Sequence, residues 1–68
     1  MYYKFEVHDP TNNIWIPDDD CRRFRTLKSC ERSAKWLVFR CLYYDKYRII
    51  EVNEKVVRTH KVDILSKI

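Results

Sequence analysis

The sequence predicts an α+β fold in which a small antiparallel sheet, in the order β-β-β-α-β-β, packs on one central helix. Three observations carry that expectation. Residues 2–7 alternate apolar and polar side chains, as a half-buried strand does. Residues 27–44 repeat apolar side chains at helical spacing with no Pro or Gly inside. Residues 47–59 then read as two short strands joined at a tight turn. The chain has 68 residues, enough for one small domain, and 46% of them are hydrophobic, which favours a packed core over disorder.

The first strand sets Tyr3, Phe5 and Val7 against Tyr2, Lys4 and Glu6 on the other side. His8 to Asn13 follow, and the Pro and Asn residues there favour a hairpin connection. Ile14, Trp15 and Ile16 form a second strand, closed by Pro17, which cannot donate to a sheet ladder. Asp18, Asp19 and Asp20 read as a solvated loop, because successive side chains on an extended chain point apart and cannot converge on a cation. A third strand is expected around Arg23 to Thr26, with Phe24 inward and Arg23 and Arg25 outward. Thr26 is a good N-cap for the helix, with Ser29 a competing one.

At about 100° per residue, Leu27, Cys30, Ala34, Leu37, Val38 and Cys41 fall on one helix face, the expected core stripe. Arg32, Trp36, Phe39 and Tyr43 fall almost opposite and make a second stripe. Three readings of that stripe are open. The C-terminal hairpin and tail can fold over the aromatics and bury them. The stripe can be a protein interface or homodimer seam, since aromatics beside Arg are frequent interface anchors. Or its aromatics can stack on bases while Arg32 and Arg40 hold phosphates. The last apolar residues, Val62, Ile64, Leu65 and Ile68, show no settled period.

Charge is unevenly placed. Residues 1–20 carry one Lys against five acids, −4; residues 21–48 carry nine Lys or Arg against two acids, +7; residues 49–68 carry four against three, +1. A basic middle segment almost without acids points to a polyanionic partner, nucleic acid or an acidic protein surface. Arg23, Arg25, Lys28, Arg32, Lys35 and Arg40, with Trp15, are its candidate contacts.

Other chemistry is disfavoured. Glycine is absent, so the Gly-rich loops that cradle phosphates are missing. Cys21, Cys30 and Cys41 form no C-x-x-C pair, and His8 and His60 stand at no metal spacing from them. They read as small buried thiols. No metal, no cofactor and no catalytic residue is therefore expected, and a non-catalytic binding protein is the reading. No run of about 18 apolar residues suggests a membrane span, and the start of the chain lacks the pattern of a signal peptide, so a cytoplasmic location is expected.

Two likenesses bear on function. Tyr3-Lys4-Phe5-Glu6-Val7, Ile14-Trp15-Ile16, Phe24-Arg25-Thr26, and Ala34 with Trp36-Leu37 follow one another in an order that resembles the arm-binding domains of phage-type integrases and the plant ethylene-responsive DNA-binding domains. The resemblance spans about the first 40 residues. It implies a three-stranded sheet packed on a helix, with the sheet entering the DNA major groove and Lys4, Trp15, Arg23 and Arg25 contacting DNA. The Asp18–Asp20 loop and the C-terminal hairpin depart from that pattern. In size and charge the chain is also similar to small accessory proteins of phages and mobile elements that dock on a host nuclease, toxin or defence enzyme. Under that alternative Arg32, Trp36, Phe39 and Tyr43 form the interface.

Overall fold

The computed structural model describes residues 1–18, 20, 22–41 and 43–64. Asp19, Cys21, Leu65 and Ile68, for which the sequence carries expectations, lie outside the described residues. Five elements follow one another: β1 (Tyr2–Asp9), β2 (Ile14–Pro17), α1 (Leu27–Arg40), β3 (Lys46–Val52) and β4 (Val57–Ile64). The strands form one antiparallel sheet in the order β2-β1-β3-β4, and α1 lies across β1 and β3.

β1 is central because both of its edges are used. One edge pairs with β3 from Tyr2↔Val52 to His8↔Lys46. The other pairs with β2 only at its C-terminal half, from Glu6↔Pro17 to Asp9↔Ile14. The β1–β2 hairpin turns through Asn13 at φ 55°, in the left-handed region that Asn tolerates better than most residues. Asp9 holds the turn: Oδ1 accepts the Thr11 and Asn12 N–H groups, and Oδ2 accepts the Asn12 side-chain amide.

The stretch expected as a third strand is reduced to a single bridge. Tyr3 N–H donates to the Phe24 carbonyl at 2.7 Å, and Phe24 N–H returns to the Tyr3 carbonyl at 2.8 Å. Phe24 thus occupies the part of the β1 edge that β2 leaves unpaired. Pairing stops there because Thr26 already caps the helix, its hydroxyl accepting the Ser29 N–H at 3.2 Å.

α1 is shorter than its pattern suggests. The apolar repeat extends to Tyr44, but Cys41 adopts φ −103°, ψ 105°, and the helix ends at Arg40. The next residues serve the sheet instead. Tyr43 Oη donates to Asp9 Oδ2 at 2.9 Å, and Asp45 N–H reaches the His8 carbonyl. These contacts turn the chain into β3.

The core lies between α1 and the covered sheet face. It holds Phe5 and Val7 from β1, Cys30, Ala34 and Val38 from α1, and Tyr47 and Ile49 from β3, with Tyr3, Ile16, Phe24, Leu27, Leu37 and Tyr44 packed at its margin. Tyr47 is fully buried, and its hydroxyl lies 3.1 Å from Asp63 and 3.3 Å from Glu31. A buried hydroxyl needs such partners, since an unsatisfied one costs about 1–3 kcal/mol. Among the described residues no helix covers the opposite sheet face, where Tyr2, Lys4, Glu6, Lys46 and Arg48 are half-buried, His8 and Ile50 are buried, and Val57, Thr59, Val62 and Ile64 of β4 are exposed.

Candidate nucleic-acid interface

The structure sorts the sequence-predicted contacts onto two faces. Lys28, Arg32, Lys35, Trp36 and Phe39 share the outward face of α1, turned away from Cys30, Ala34 and Val38. Trp36 is 62% exposed and Phe39 76%. The hairpin that was one candidate to cover them does not: β3 pairs with β1, and β4 lies at the far edge of the sheet. Arg32, Lys35, Trp36 and Phe39 line one shallow depression, and Lys28, Glu31, Arg32 and Lys35 line the next one along the helix.

Charge on this face is only partly compensated. Glu31 Oε1 lies 3.1 Å from Lys35 Nζ and 2.5 Å from Lys61 Nζ. Hydrogen bonds from Lys61 and Lys35 hold the Glu31 carboxyl down at about 2, and the same contact raises Lys61 above the ordinary lysine value. The acid nearest the stripe is thereby engaged on the β4 flank. Arg25, Lys28, Arg32 and Arg40 have no carboxylate partner among the described residues.

Tyr43 continues the stripe in sequence but is tied to the hairpin turn. Its hydroxyl bond to Asp9 raises its own pKa, and burial adds to that effect. For Asp9 burial opposes ionisation, but the hydrogen bonds from Asn12, Tyr43 and Thr11 outweigh it, so its pKa is lowered. Tyr43 therefore anchors the end of α1 to β1 as well as presenting a half-exposed ring.

Trp15 lies elsewhere, on the helix-free sheet face. The Arg48 guanidinium sits 4.3 Å from its ring centroid, Lys46 Nζ 5.6 Å, and the His8 ring 5.0 Å. Arg48 also pairs with Glu6, and His8 Nδ1 donates to Asp45 at 2.8 Å. Arg23 stacks over Tyr2 on this same side, 4.9 Å from the ring centroid. Lys46, Arg48 and His8 are thus neighbours of Trp15 that were not among the predicted contacts. Alternation in the β3 sequence puts Lys46 and Arg48 on one face; the β2-β1-β3 order, which brings them to Trp15, is a long-range pairing.

Of the described carboxylates of the acidic loop, Asp20 is exposed as expected and Asp18 is not. Asp18 is buried and pairs with Arg22 Nε at 3.1 Å, an i,i+4 contact that compensates the charge of the still exposed Arg22. The Cys30 thiol is fully buried, and burial pushes its pKa up to about 12. Among the described residues no group of three or more His, Cys, Asp or Glu could hold a metal ion, and no helix is long and apolar enough to cross a membrane.

Fold and surface together define a small α+β domain with cations beside aromatics on two faces, exposed on α1 and half-buried around Trp15. No family model, no curated protein and no solved structure matches the chain.

Proposed function

We propose that the protein is a non-catalytic binding domain that takes nucleic acid on the outward face of α1. The observation that carries the reading is the exposure of Trp36 and Phe39 beside Lys28 and Arg32, cations that no carboxylate among the described residues neutralises. Arg and Lys neutralise phosphates and release counterions, while exposed rings stack on unpaired bases at about 1–3 kcal/mol each. Arg25 and Arg40 lie at the two ends of the helix and extend the cationic track.

Trp36 and Phe39 suit this role better than Trp15, whose ring already has Arg48 and Lys46 against it. The resemblance to sheet-reading DNA-binding domains favours sheet contacts instead, through Lys4, Trp15, Arg23 and Arg25. The helix face is preferred because its aromatics are the more exposed.

The test is fluorescence anisotropy with single-stranded DNA, RNA and duplex DNA over a range of salt. Four phosphate contacts, from Arg25, Lys28, Arg32 and Arg40, give a log–log slope of about −3 for a single strand. K28E/R32E should abolish binding, whereas K4E should leave it nearly intact. Binding lost in K4E and retained in K28E/R32E moves the site to the sheet. No binding to any nucleic acid refutes the proposal.

The same exposed rings support a second reading, docking on an acidic protein surface with Arg32, Trp36 and Phe39 as anchors. High extents of aromatic exposure beside Arg favour it. Such binding would persist at salt concentrations that dissociate nucleic acid.

A further inference from the structure

The two ends of the sheet differ. β2 is four residues long and closes with Pro17, so it offers little backbone to a further strand. β4 is eight residues long, is largely exposed, and has no strand on its outer edge among the described residues. Its side chains divide by face. Arg58 reaches Glu51, Lys61 reaches Glu31 and Asp63 accepts from Tyr47, so these three lie on the helix side. Val57, Thr59, Val62 and Ile64 pair with Val52, Ile50, Arg48 and Lys46, the residues of the helix-free face.

That division depends on a bulge. Ile49 pairs with Lys61 and Ile50 with Thr59, so His60 is an extra residue in β4. The His60 ring lies 5.7 Å from Tyr3 and its Nδ1 3.7 Å from Glu51, on the helix side with Lys61. In a regular strand Val57 and Ile64, an odd number of residues apart, would point to opposite faces. The extra residue restores them to the same face.

We propose that β4 pairs with β4 of a second copy of this chain, antiparallel about a two-fold axis between residues 60 and 61. In this register Val57 faces Ile64 of the other copy, Thr59 faces Val62, and Arg58 faces Asp63. Apolar residues meet apolar or β-branched ones on the open face, and on the helix side Arg58 meets Asp63 while His60 meets Lys61 at the axis. The strand is complementary to itself, which is what an isologous dimer requires. Shifting the register by two residues one way sets Arg58 against Lys61, two like charges, which directly opposed pairs disfavour, and a shift either way opposes a helix-side residue to an open-face one, Thr59 to His60 or Lys61 to Val62. The bulge ordinarily protects a sheet edge; here it sits at the axis and brings the two halves of β4 into phase. Dimerisation gives an eight-stranded sheet with both helices on one side. The inference is independent of the nucleic-acid reading.

Sedimentation equilibrium from low micromolar to near-millimolar concentration tests it. The wild type should approach twice the monomer mass. Val57 and Ile64 are 66% and 72% exposed, so substituting them leaves the monomer core intact. V57K/I64K opposes two lysines at each end of the seam and should give the monomer mass. V57K/I64E opposes Lys to Glu and should recover the dimer. A monomeric wild type, a dimer indifferent to V57K/I64K, or a V57K/I64E variant that stays monomeric each overturns the proposal.

Discussion

Val38 and Phe39 are adjacent in sequence and on opposite sides of α1, so truncating each in turn measures what the two helix faces are for. Val38 is fully buried in the cluster with Phe5, Val7, Tyr47 and Ile49. Val38→Ala removes two carbons at about 0.8 kcal/mol each and leaves a small cavity, so it should cost roughly 2–3 kcal/mol. Phe39 is 76% exposed, so about a quarter of its surface is covered. Full burial of a Phe is worth about 1.5–3 kcal/mol, and a quarter of that is roughly 0.4–0.8 kcal/mol. Urea denaturation should therefore show a large fall in midpoint for Val38→Ala and a small one for Phe39→Ala, with unchanged slopes. The order should invert for binding. Phe39→Ala removes a stacking ring and should weaken nucleic-acid affinity about tenfold or more, while folded Val38→Ala should bind nearly as well as wild type. Equal destabilisation by the two substitutions would refute the assignment of an outward face.

Three further outcomes follow from the core and its polar margin. Glu31→Gln loses the charge that Lys35 and Lys61 share and should cost about 1–2 kcal/mol at neutral pH, since both lysines remain partly solvated. Because the folded Glu31 carboxyl is held near 2, its contribution is complete above the ordinary Glu value. It fades as pH falls from about 4.5 toward 2, so acid titrations of wild type and Glu31→Gln should converge there. Tyr47→Phe strips a buried hydroxyl from Glu31 and Asp63 and should lower stability by about 1–2 kcal/mol, read as a shift in Tm. Burial and the Asp63 contact raise the Tyr47 pKa, so no tyrosinate signal from it should appear in an alkaline absorbance titration until the protein unfolds. Cys30, with its thiol pushed up to about 12 and no exposure, should resist iodoacetamide in native protein and react once denaturant is added, as peptide mass mapping would show.

Most local structure was legible because it rests on local chemistry. The alternation in residues 2–7, the Asn-rich turn, the Thr26 cap and the burial of Cys30, Ala34 and Val38 each follow from side-chain period or backbone hydrogen bonding within a few residues. Where local reading fell short, a distant partner decided. The helical repeat continues past Arg40, yet Tyr43 bonds to Asp9, 34 positions away, and the helix stops. Residues 23–26 carry strand character, but β2 already occupies the C-terminal half of that edge of β1 and Thr26 already caps the helix, so pairing is limited to one bridge at Phe24.

By itself the sequence determined that one sheet packs on one helix, that the helix has two unlike faces, and that positive charge gathers in the middle of the chain. Only the tertiary structure decided which surfaces stay open. The C-terminal hairpin had two destinations, over the aromatic stripe or beside β1. Pairing β3 with β1 buries Tyr47 and Ile49 against the helix and sends β4 to the sheet edge. A helix backed on one side by a single sheet layer keeps its other face in water, so Trp36 and Phe39 face outward, and the cations divide between two opposite sides of the molecule.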